Sequence, residues 1–103
     1  MANYIMIYLG GKHPETPEEG QAHMLLWKEW LAKIGEAVVD PGTPLVNPSI
    51  VNGAGVVEGA GDSAISGFTV VKAESKEAAI EMAKGCPFLD VEGALHVAEM
   101  RQM

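Results

Sequence analysis

Cationic charge is scarce in this sequence: seven Lys and Arg stand against fourteen Asp and Glu, a formal net charge of -7. That field repels polyanions, which argues against nucleic acid and anionic membrane surfaces as partners. A single cysteine, Cys86, leaves no internal disulfide and suits a reducing compartment. No stretch approaches the ~20 apolar residues of a spanning helix. The short apolar run after Met1 has no basic segment before it. These absences read as a soluble, cytoplasmic protein. Metal-binding patterns are missing too, with no CxxC, no HExxH and no His pair at helical spacing. Gly53, Gly55, Gly59 and Gly61 do not form a GxGxxG between a strand and a helix, and Ser63 and Ser66 belong to no Ser-His-Asp pattern. Neither a metal nor a cofactor is expected.

What is present fits one domain over residues 1–103, of which 48% are hydrophobic and 20% charged. Asn3–Leu9 is a strand stopped by Gly10-Gly11. It is apolar on both faces, with Ile5, Ile7 and Leu9 on one and Tyr4, Met6 and Tyr8 on the other. Thr16-Pro17-Glu18-Glu19 places a capping residue, a proline at the first turn and a glutamate at the third position, which predicts a helix from there to Gly35. At 100° per residue His23, Trp27, Trp30 and Ile34 share its inner stripe, flanked by Leu26 and Leu31. Ala37–Val46 is a strand interrupted at Asp40-Pro41-Gly42, and its prolines confine it to an edge or a bulge. Asn47–Ser63 is a long loop or an irregular hairpin. Ile65–Ala73 is a strand apolar on both faces, Ser75 caps a helix reaching Gly85, and Ala94–Arg101 is the last strand.

Strand, helix, strand, strand, helix, strand with right-handed crossovers gives a ferredoxin-like α+β sandwich. Its antiparallel sheet runs in the order 4-1-3-2, with both helices on one face. The opposite face is apolar as well, so a C2 homodimer joined sheet to sheet is expected.

Four stretches carry a family resemblance: YIMIYLGGK, HMLLWKEWLAKIG, VVDPGTPL and GFTVVKAESKEAAIEMAKGCP. In order and spacing they resemble the YciI-like (YCII-related) proteins, near the branch marked by a DGPF tetrapeptide. That tetrapeptide is absent here, and VNGAGVVEGAGDSAISG stands in the central loop instead. The resemblance implies a dimeric α+β barrel and a His–Asp pair in a cleft. By position the pair is His23 with Asp40.

His23 is either an acid-base group suited to neutral pH or a seam histidine bonded to backbone. Asp40 is either its orienting partner or the cap of the turn made by Pro41-Gly42. Tyr4, Tyr8 and Trp27 are candidate ligand-binding walls, or simply core aromatics. Cys86 follows a helix C-terminus, which disfavours a thiolate, and reads as a buried thiol. His13 belongs to a polar turn and His96 to the last strand. The function these residues suit is cofactor-independent proton abstraction, isomerisation or elimination on a small organic molecule. The alternative is a non-catalytic ligand-binding or regulatory module.

Overall fold

β1 (Ala2–Gly10) occupies the middle of a four-stranded antiparallel sheet, as its two apolar faces require. The computed structural model describes residues 1–59 and 64–101; Gly61 and Ser63 lie outside them. β5 (Ile65–Ala73) pairs with one side of β1, from Ala2 opposite Ala73 to Ile7 opposite Phe68. β6 (Gly93–Met100) pairs with the other side, from Asn3 opposite Met100 to Gly10 opposite Gly93. β2 (Val38–Asp40) takes the outer edge beside β5, so the sheet order is β2-β5-β1-β6. This is the ferredoxin-like order derived from the sequence, with one hairpin inserted after β2.

The edge strand breaks where its prolines fall. Its register shifts between Val38 and Asp40, and the chain leaves the ladder at Pro41. It returns only as a bridge from Pro44 to Gly67 and a hydrogen bond from Leu45 N to Ser66 O of 2.9 Å. The central segment is a regular hairpin, β3 (Ser49–Asn52) with β4 (Gly55–Glu58), closed by Ala54 N–H donating to Asn52 Oδ1. Its Val and Ile side chains stand in solvent; Val51 is 76% exposed and Val56 62%.

α1 (Pro17–Ile34) starts as its sequence specifies, with Glu19 N–H donating to Thr16 Oγ1 at 3.1 Å. The return bond of the capping box falls one residue earlier: the Glu19 carboxylate accepts from Glu15 N–H at 2.9 Å. Trp30 is buried, and His23, Trp27, Leu31 and Ile34 are half-buried against the sheet. Leu26 departs from its expected flanking place and is 44% exposed, beside Leu25 at 60%. The inner stripe is narrow because α1 shares the sheet face with α2 (Lys76–Lys84), whose small Ala79 and Ala83 allow close approach. Trp30 Nε1 donates to Met82 O at 2.9 Å and ties the two helices together.

The core lies between helices and sheet: Tyr4, Met6 and Tyr8 of β1 meet Val71 and Ala73 of β5 and the alanines of α2. On the far side of the sheet Ile5, Ile7 and Val70 are neighbours, with Ala98 and His96 across from β1. No described helix is long and apolar enough to cross a membrane.

Candidate functional site

A pocket of about 390 Å³ opens between α1 and the end of the sheet where β1 finishes. Tyr8 and Gly67 supply part of its floor, and His23, Met24, Trp27 and Leu31 reach it from α1. The broken edge strand contributes a wall, Pro41-Gly42-Thr43-Pro44. Phe88 and Val91 come from a short 3-10 helix at Pro87–Val91, and Gly10 to His13 form the rim.

Aromatic rings set the shape. Trp27 meets the ring of Tyr8 edge-on at 5.1 Å between centroids, and Trp30 at 5.5 Å. Tyr8 also contacts Phe88, at 5.3 Å. Such tilted pairs match the positive edge of one ring to the negative face of another. Phe88 is held close by two glycines: a Cβ on Gly93 would lie 2.1 Å from its ring, and one on Gly11 2.7 Å. Gly42 is required for a different reason. Its φ is +77°, and a Cβ there would lie 1.7 Å from the Phe68 carbonyl oxygen.

A buried polar chain fixes the wall to the floor. Thr69 Oγ1 donates to Pro41 O at 3.0 Å, since a carbonyl only accepts. The Thr69 proton being committed, the Tyr8 hydroxyl donates to Thr69 Oγ1. Tyr8 therefore directs its proton away from the pocket and offers its ring to it. Burial pushes the Tyr8 phenol well above the usual tyrosine range. Burial also pushes the Cys86 thiol up to about 11, so Cys86 stays a thiol at neutral pH.

His23 Nε2 accepts a hydrogen bond of 2.8 Å from Trp27 Nε1. The neutral ring must then carry its proton on Nδ1, a donor for which the described residues supply no hydrogen-bond partner. Asp40 Oδ1 accepts from Gly42 N–H at 2.8 Å, closing the turn that begins the wall. No hydrogen bond joins Asp40 to His23 among the described residues. Asp40 does not line the pocket, and neither does Tyr4, which is buried in the core beneath α2. Tyr8, Trp27 and His23 do come together there. Sequence reasoning passed over Phe88, the Pro41–Pro44 wall, Lys12 and the lining place of His13. The PGTP interruption of a strand and the GG that ends β1 were the available signals.

Among the described residues no three His, Cys, Asp or Glu side chains gather closely enough to hold a metal ion. No family model matches the sequence. No curated protein matches it either. Among solved structures, the chain shares its fold at a TM-score of 0.59 and 16% identity, over 97% of its own length and 95% of the other's, with the 5-chloro-2-hydroxyhydroquinone dehydrochlorinase of Burkholderia phenoliruptrix AC1100, in complex with 2,5-dihydroxybenzoquinone.

Proposed function

We propose that the chain is a YciI-like protein whose pocket takes a small organic molecule, and that His23 moves a proton on it without a cofactor. The observation that carries this reading is the placing of one imidazole inside an aromatic pocket between helix and sheet. A volume of about 390 Å³ lies within the range of small-molecule sites. The fold also carries an enzyme that removes chloride from a ring, and such an elimination needs a proton taken or given. In this reading the neutral His23 ring donates a hydrogen bond from Nδ1–H that orients an oxygen of the ligand. His23 Nε2 becomes a base once the ligand displaces the Trp27 indole. Asp40 is a positioning residue: it holds the turn that sets the Pro41–Pro44 wall.

The homodimer belongs to the same proposal. Ile5, Ile7, Val70 and Ala98 form an apolar sheet face, and a second copy covering it would complete the α+β barrel. Sedimentation at micromolar concentration should give twice the chain mass, and a monomer there refutes it.

Catalysis is tested by proton exchange in deuterated buffer with a panel of acidic phenols and enolisable carbonyl compounds, followed by NMR. His23→Gln should slow exchange by about a hundred-fold or more, and Asp40→Asn by much less. An unchanged rate in His23→Gln removes the acid-base role. The second reading, a non-catalytic binding module, is favoured by one observation: the lone pair of His23 Nε2 is already engaged by Trp27. Ligands that shift the Trp27 indole signal but undergo no exchange would select it.

A further inference from the structure

Apart from the phenol of Tyr8, the titratable side chains that line the pocket are bases. Lys12, His13 and His23 line it, and no Asp or Glu does among the described residues. In a chain of net charge -7, that segregation runs against the bulk of the molecule. The ion-pair partner of Lys12 is Glu92, at 3.3 Å, with the two side chains 71% and 69% exposed. A pair so open to water is weak, and Lys12 can exchange it for another anion at little cost. Lys12 and His13 are both exposed at the rim, whereas Tyr8, Trp27 and Phe88 lie deeper. The pocket is therefore apolar and aromatic inside and cationic at its mouth.

That polarity matches one kind of ligand. A bare carboxylate buried among aromatic rings would lose its hydration without compensation. A flat ring carrying an anionic group at one end keeps the charge beside Lys12, the His13 imidazole and water, and places the ring among Tyr8, Trp27 and Phe88. About 390 Å³ accommodates one ring with substituents. Resting on the small-molecule reading above, we propose that the ligand is a single-ring aromatic anion, a carboxylate or an acidic phenolate, recognised at the mouth by Lys12 and His13. The Lys12 ammonium also offsets the repulsion that the whole acidic molecule exerts on an approaching anion.

Benzoate and benzamide are close in size and shape and differ by one charge, so they test this directly. Each is titrated into the full chain at neutral pH and low salt, and the Trp27 indole N–H signal is followed by NMR. Benzoate should bind about ten-fold more tightly than benzamide. In the Lys12→Gln/His13→Gln double variant that preference should fall below about three-fold, with benzamide affinity unmoved. Both residues are exposed, so the variant keeps the core intact. Benzamide binding as well as benzoate, or a preference that survives in the double variant, overturns the inference and leaves the small-molecule pocket standing. Silence of Trp27 toward both compounds up to about 20 mM overturns the inference and the pocket reading together.

Discussion

Replacing Gly42 by alanine should cost this protein far more than a glycine-to-alanine change in a loop normally does. Two terms add. At φ +77° a residue with a side chain pays about 1–2 kcal/mol for the left-handed conformation. The new Cβ would also lie 1.7 Å from the Phe68 carbonyl oxygen, so the turn must retreat by more than an ångström. That retreat carries Pro41 away from Thr69, whose fully buried hydroxyl then loses its acceptor, at about 1–3 kcal/mol. The sum is roughly 2–5 kcal/mol, or a fall in Tm of about 10–30 °C for a chain of this size. Gly59→Ala is the control, because Gly59 has φ +71° and no described heavy atom lies within 4 Å of the place its Cβ would take. It should show the conformational term alone, about 1–2 kcal/mol. Urea unfolding followed by tryptophan emission reads both variants, since Trp30 is buried and should shift to longer wavelength on exposure. Equal destabilisation of the two variants would refute the close-approach argument and the anchoring of the wall.

Alkaline pH should weaken the fold. Burial raises the Cys86 thiol from 9.0 to about 11 and raises the Tyr8 phenol as well. Below pH 9 both are protonated in either state. Above it the unfolded chain loses its protons first, so stability falls between pH 9 and 11. Cys86→Ala should flatten the decline of the urea midpoint over that window, and an unchanged slope counts against the cause given. Gly93→Ala should push Phe88 out of its seat, costing about 1–3 kcal/mol and weakening ligand binding with it; calorimetry and the Trp27 signal read the two effects separately. Trp27→Phe keeps a ring against Tyr8 but removes the donor to His23 Nε2. It should cost about 0.5–1.5 kcal/mol and move the His23 ring signals in 15N NMR; stationary signals would mean the hydrogen bond does not persist in solution.

Much of this architecture is legible in the sequence because local and long-range requirements agree in it. NYIMIYL is apolar at both alternations, as suits a central strand, and β1 does lie in the middle of the sheet. Thr16 and Ser75 announce their helices through side-chain oxygens that cap them as expected. The exposure of Leu25 and Leu26 was not legible, because helical periodicity gives relative angles and not the width of the stripe a neighbouring helix leaves free. The hairpin was half-legible: VNGAG signals a turn, but its Ile and Val residues suggest burial that a single chain does not provide. At the site, spacing put His23 and Trp27 on one helical face, and the structure adds a hydrogen bond between them. Asp40 sits where a turn and a catalytic pair make the same demand for a carboxylate, and sequence alone could not choose between them. Phe88 escaped notice because its place depends on Gly11 and Gly93, which are 82 positions apart in the chain and meet only through β1 and β6.

The central position of β1 has a consequence for how the chain is made. β1 leaves the ribosome before both of its partners, which end at Ala73 and Met100. At 5–20 residues per second, the first partner is complete only about 3–13 s later, and the second some seconds after that. Throughout that interval an uncharged, proline-free strand, apolar on both sides, has open edges that would template pairing between neighbouring nascent chains on a polysome. The strand that organises the finished sheet is thus the segment most open to mispairing during translation. Production of this protein should respond more to translation rate and holding chaperones than its small size would suggest.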